Sequence, residues 1–481
     1  MNQRMLRTLA LCTPVLAAGA LLGSVTVPVG ATVQAAIPPN YDVSAMHGNE
    51  AEDAIAINPT DPSNIVAMST LPDVPSGLFE GVSFDGGKTW ARQVIGTGGA
   101  LGQICCDQQL AWDSFGNLWM TYLVNTNGNV LVALSTDGGR SFTKVAEIVP
   151  TTPTGSKSPK GAAFKRLHKS GNHFGDQPSI SAGAGSVWVS YTSLPSTVIQ
   201  AFGARVTGLG KFGSFSAPES VPTANGRGDY GDTAVGPNGQ VMVTYQDQTN
   251  GQGGARIYTA LDANGLRAGG FADPRLLART RVGGFDFIPA QPDRSVDAEA
   301  NLAWDHSGGP HNGRVYAVWT QETPNESDNM DIMFQFSDNN GATWTPAARL
   351  NDDHTVNSQF NPSIAVDQST GDVAVSWYDC RNDLGLGGPG DTDGIPNDDA
   401  QIWATFSTDG GVSFAPNFQV SEGTLNAPDA QSFFDTGDYT HAAFASHLFY
   451  PAWSDNSNSN GQNPDGRLHQ LDLFTAKVVI R

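Results

Sequence analysis

One octad recurs along this chain: SFDGGKTW at 83–90, STDGGRSF at 135–142, SDNNGATW at 337–344 and STDGGVSF at 407–414. A repeated tight turn constrains a fold strongly, because self-similar units must pack on one another. Ser and Asp side chains hydrogen-bond within such a turn, and Gly supplies positive φ. The closing aromatic needs a sheet to pack on. Each octad is therefore read as a hairpin turn, with a structural rather than a ligand-binding role for Asp85, Asp137 and Asp409.

A second repeat runs upstream of the turns: a polar residue, a short apolar strand, a turn, then a strand ending in an aromatic and a polar residue. Its seven copies begin at 52, 107, 176, 231, 299, 361 and 437. Downstream pieces such as VLVALS, DIMFQFS and QIWATFS alternate with period 2, the signature of strands. Each repeat thus reads as four antiparallel strands, A to D, with the octad between C and D. With 55 Gly and 29 Pro in 481 residues, an all-β chain of short strands is expected. Four-stranded units at this period imply a β-propeller, with seven blades. The last repeat stops after its C strand, while NYDVSAM near the start resembles the D-strand segment NFQVSEG at 417–423. The N-terminal segment is expected to close the ring.

The first 35 residues read as a secretory signal, with Arg4 and Arg7 ahead of LALCTPVLAAGALLGSV and small residues at VQA, 33–35. The expected product is a secreted domain over 36–481 with no membrane span. Cys105, Cys106 and Cys380 are too few for a disulfide scaffold. Cys105 and Cys106 could form a vicinal bridge, or one could pair with Cys380. The formal net charge is −21, which argues against nucleic acid or an anionic membrane as partner.

The four octads resemble the Asp boxes (S-x-D-x-G-x-T-W) of the sialidase superfamily. That resemblance implies a propeller acting on glycans, an exo-glycosidase of the sialidase type. Sialidases usually have six blades, so six is the alternative to the seven counted here. They also carry a Phe-Arg-Ile-Pro segment whose Arg opens a triad gripping the substrate carboxylate. The nearest match is FDFIP at 285–289, with Asp286 and Phe287 in that place.

By the same analogy, the D–A and B–C connections bear the site. Asp53, Asp107, Asp176, Asp232, Asp297, Asp438 and Asn361 precede A strands, and Asp247, Glu322, Asp379 and Asp455 follow B strands. Carboxylates brought together raise one another's pKa, which suits acid/base work or a hard cation. The alternative is solvated turn and strand caps. The candidate catalytic set is Asp232, Asp297, Asp379 and Asp438, with Tyr230 or Tyr439 as nucleophile. Arg227, Arg294 and Arg381, whose planar forks suit a carboxylate, would bind the acidic sugar. Arg166 lies in a basic insert, 154–173, that reads equally as a lid or a solvated loop.

GPGDTDGIPNDDAQ at 388–401 opens like a calcium loop, but Ile395 stands where an EF-hand wants its third oxygen ligand. A looser loop would hold calcium on Asp391, Asp393, Asn397 and Asp399. No organic cofactor motif, HExxH or GxSxG is present. Two functions stay open: an enzyme on an acidic glycan, or a noncatalytic propeller binding glycan or protein. The expected partner is an extracellular acidic glycan or glycoprotein, met by a monomer.

Overall fold

The computed structural model describes residues 36–150, 173–229, 231–248 and 251–481; the signal segment and most of the basic insert, with Arg166, lie outside them. Seven antiparallel sheets stand in chain order around a ring. Their A strands are Ala51–Ile57, Ile104–Trp112, Phe174–Gly183, Thr233–Val235, Asn301–Trp304, Gln359–Val366 and Ala442–Ala445. An extra two-stranded hairpin, Asp286–Ile288 with Gln291–Val296, lies between blades four and five.

The ring closes as the repeats require. Asn40–Asp42 pairs antiparallel with Asp472–Ala476 of blade seven, in the register Asn40↔Ala476 to Asp42↔Phe474. The side chain of Asn40 also donates to Val420 O at 2.9 Å, tying the closing strand to blade six.

Apolar side chains fill the spaces between blades. One cluster joins Val66, Met68 and Leu78 of blade one to Leu118, Met120 and Tyr122 of blade two. Another joins Ile55 and Phe79 of blade one to Tyr450 and Leu473 of blade seven. Trp119, Trp188, Trp319, Trp377 and Trp453, one on the B strand of each of five blades, are fully buried. Truncating such a residue costs about 3–5 kcal/mol.

The octads do more than turn the chain. In the first, Gly87 N donates to Ser83 Oγ at 2.9 Å and Thr89 Oγ1 to Asp85 Oδ2 at 2.7 Å. The second and fourth repeat these bonds; in the third, Gly341 N still donates to Ser337 Oγ, but Asn339 replaces Asp and its Nδ2 donates to Thr343 Oγ1 at 2.8 Å. The glycine at the fifth position of each octad has positive φ and abuts the preceding blade. A Cβ on Gly139 would meet Val66 at 2.5 Å, and one on Gly411 would meet Phe334 at 2.6 Å. Each turn is thus also an inter-blade latch. The A–B turns lie on this same face, where Gly86 N donates to Ser63 O at 2.9 Å.

Cys105 and Cys106 form a vicinal disulfide, and Cys380 is a buried free thiol.

The closing strand carries buried carboxylates. Asp42, Glu50 and Asp472 lie together, with Ser44 Oγ donating to Glu50 at 2.7 Å. Burial first, then the charge of Asp42, pushes Asp472 up to about 9. The folded chain keeps a proton there that the unfolded chain releases above about pH 4. Stability contributed by this cluster is therefore complete below about pH 4 and lost as pH rises towards 9. The melting temperature of the wild type should fall more steeply between pH 5 and pH 9 than that of Asp472→Asn. Parallel curves for the two proteins would remove this group from the pH dependence.

Candidate functional site at the channel mouth

The A strands open with a shared irregularity. Glu52, Asp107, Gln177 and Asn361 have φ of 60°, 56°, 41° and 48°, each within a register shift of the A–B pairing. Such bulges re-aim side chains at the rim of a sheet. They bring Glu52 and Asp107 to the central cluster, together with Asp176, Asp229, Asp297, Glu299 and Asp438.

The hairpin between blades four and five lies against this cluster. Gln291 Nε2 donates to Gly437 O at 2.7 Å, and the backbone N–H groups of Asp293 and Arg294 donate to Asp435 Oδ2 at 2.9 and 2.8 Å. The hairpin is thereby fastened to the segment that enters blade seven. Arg294 pairs with Asp438, which also accepts from Gln177 Nε2 on blade three. Asn361 Nδ2 donates to Gly437 O at 3.1 Å. Strands from several blades therefore meet on a few atoms.

Negative charge dominates there. Burial, with repulsion from Asp438 and Asp107, holds Glu52 well above the usual carboxylate range. Burial and Asp438 likewise push Asp107 up to about 6. Asp297 is 1 % exposed, and neither of its carboxylate oxygens has a hydrogen-bond partner. Burial holds its pKa far up; Arg294 opposes that, while Asp438, Asp229 and Asp176 add to it. The Tyr439 hydroxyl is likewise buried and unpartnered. Burial, then Glu52, Asp107, Asp438 and Glu299, holds it protonated. The arrangement can hold protons at neutral pH and release them to a nearby base.

The structure sorts the residues singled out from sequence. Asp297, Asp438, Tyr439 and Arg294 come together. Asp232 links blades instead, accepting from Ser179 Oγ of blade three at 2.6 Å and from Leu302 N of blade five at 2.7 Å. Asp53 does the same, accepting from Ser69 Oγ at 2.7 Å and from Ser454 Oγ of blade seven at 2.8 Å. Asp379 and Arg381 form a buried bidentate pair at 3.0 and 2.8 Å. Arg381 also binds Asp352 at 2.9 Å and stacks on Trp403. It is thus committed within blade six rather than offered to a sugar. Arg227 sits on an exposed loop, and Tyr230 lies outside the described residues. Asp455 accepts from Trp453 Nε1 at 2.9 Å, Glu322 holds the loop at 326–328, and Asp247 pairs with Arg256. These polar residues after B strands are structural.

Sequence reasoning missed Glu52 and Glu299. The bulge at Glu52 displaces the alternation by one residue, so Glu52 rather than Asp53 joins the cluster. In the blade-six loop, Asp391, Asp393 and Asp399 converge with Asp383 and Asp398. Asn397 does not join them: its Oδ1 accepts from Ser358 N at 2.7 Å, and its Nδ2 donates to Asp328 O at 2.9 Å.

A cavity lies elsewhere among the described residues, on the octad face between blades three and four. It measures about 360 Å³ and is lined by Arg205, Asn238, Asn264 and Arg267 among others.

No protein-family model matches the chain, and no curated protein does. Similar solved structures include an α-L-arabinofuranosidase variant of Fusarium graminearum, at 12% identity over 72% of this chain and 93% of that one, TM-score 0.46. A Trypanosoma rangeli sialidase matches at 11% identity over 81% and 56%, TM-score 0.43. A lectin from Burkholderia pseudomallei matches at 9% over 77% and 84%, TM-score 0.46. At these values the likeness says nothing about the chemistry of the mouth.

Replacing Arg381 would strand the buried Asp379 carboxylate. Arg381→Ala should destabilise the fold by about 3–5 kcal/mol, measured by denaturant unfolding. An unchanged midpoint would contradict the structural role.

Proposed function

We propose that this protein is a secreted propeller that acts on acidic glycans at the channel mouth, as a glycoside hydrolase with Tyr439 as nucleophile. One observation carries the reading: the unpartnered, buried Tyr439 hydroxyl stands among Glu52, Asp107, Asp438 and Glu299, in a cluster that also holds the unpartnered Asp297. Buried polar groups without partners cost stability, and their concentration beside a cation is what a substrate site requires. A phenol attacks only as its proton leaves, and a neighbouring carboxylate can take it. Asp297, kept protonated by burial, is suited to give a proton to the departing sugar oxygen. Arg294, paired with Asp438, is the cation that a substrate carboxylate would meet in this cluster. It replaces functionally what FDFIP lacks, since Asp286 there is itself buried and Phe287 is exposed.

A noncatalytic glycan-binding role is the second reading. It is favoured by the burial of the cluster beneath the hairpin and by a cavity on the other face, between blades three and four.

Purified protein should be assayed against fluorogenic sialosides, uronides and arabinofuranosides. Turnover of an acidic substrate is expected. It should fall by about 10²–10⁴-fold in Asp297→Asn, the scale of general acid catalysis, and be lost in Tyr439→Phe. Arg294→Lys should raise KM more than it lowers kcat. If no substrate turns over, yet acidic glycans bind by calorimetry and Arg294→Lys weakens that binding, the noncatalytic reading replaces the enzyme.

A further inference from the structure

The loop between strands B and C of blade six gathers five carboxylates. Asp383, Asp391 and Asp399 each offer an oxygen within 4.8 Å of the others, and so do Asp393, Asp398 and Asp399. Asp399 belongs to both groups. Asp383, Asp398 and Asp399 are buried, at 0, 6 and 1 % exposure. None of the five takes part in an ion pair among the described residues.

Acidic residues in loops commonly satisfy themselves with backbone N–H groups, and some here do. Asp383 Oδ2 accepts from Asp398 N and Asp399 N at 2.8 and 2.9 Å, and Asp391 from Gly387 N and Gly394 N, both at 2.7 Å. Asp398 is different. Its Oδ1 is sealed from solvent with no hydrogen-bond partner, and its side chain lies against the carboxylate of Asp383. Two buried carboxylates side by side are all acceptor. A proton or a cation must stand between them.

We propose that this loop binds a hard divalent cation, calcium, through Asp383, Asp391, Asp393, Asp398 and Asp399. Carboxylate oxygens are the ligands calcium takes, at about 2.3–2.6 Å, and oxygens this close together can share one ion. Asp391 and Asp393 reach solvent, so water can complete the coordination. The ion would also stiffen the rim. Asp399 and Ala400 pair with Leu425–Asn426, and the chain runs from there to Asp435 and Asp438 at the mouth.

The test uses the full protein, stripped with EGTA and titrated with calcium chloride alone. Saturable binding by calorimetry is expected, with a rise of a few degrees in melting temperature through ligand linkage. The double variant Asp391→Asn/Asp393→Asn alters only solvent-reaching groups. It should keep the calcium-free melting temperature and weaken calcium binding at least ~10-fold, given the dependence of such sites on ligand charge. Asp297→Asn, in the mouth cluster, should leave calcium affinity unchanged. No binding heat together with identical melting curves would overturn the proposal, as would calcium binding lost in Asp297→Asn but kept in the double variant.

Discussion

A four-stranded blade has two apolar faces and can cover neither alone. Every other feature of this molecule depends on that constraint. Blades must lie face to face around an axis, and the spaces between them become the core. The octads answer the same need at the outer part of the ring. Their hydrogen bonds hold a turn, while a glycine without Cβ lets the turn press on the neighbouring blade. Asn64 of blade one even donates to Gly138 O within the octad of blade two, at 3.0 Å. Repetition of the motif is thus repetition of a contact between units.

The radial arrangement forces the innermost strands to converge, and what they carry at one end must share a small space. Here they carry acids. Seven carboxylates surround Arg294, whose charge opposes the rise in pKa of Glu52, Asp107, Asp176, Asp297 and Glu299. Full ionisation would be intolerable without water or counter-charge, so protons remain on several of them. The cluster thereby stores acid groups at neutral pH, the feature on which the proposed chemistry rests.

Much of this was legible in the residues. The octads, the seven repeats and the unpaired last C strand led to the ring and its closing strand, because hairpin chemistry and period-2 alternation are local. The meeting of Asp297, Asp438, Tyr439 and Arg294 in one cluster was also legible, since strand ends on one face can be assigned by topology. What was not legible depends on contacts between distant segments. Arg294 and Arg381 look alike in sequence. Only the fold shows that one reaches the centre across a hairpin while the other is held by Asp379, Asp352 and Trp403. Bulges defeat alternation in the same way, exchanging Glu52 for Asp53. In the blade-six loop, Asn397 has the right spacing for a ligand, but its amide is already taken by Ser358 and Asp328.

The closing strand has a consequence for the order of events in folding. Asn40–Asp42 leaves the ribosome about 430 residues before its partner, Asp472–Ala476. Until then blade seven lacks its outer strand. Six blades can stack progressively as they emerge, yet the ring stays a crescent with an open end. Its completion is a contact between segments about 430 residues apart, a kind that forms slowly. A nascent crescent therefore exposes a sheet edge for the whole time of synthesis, and whatever guards the chain in that interval must recognise an arc rather than a circle.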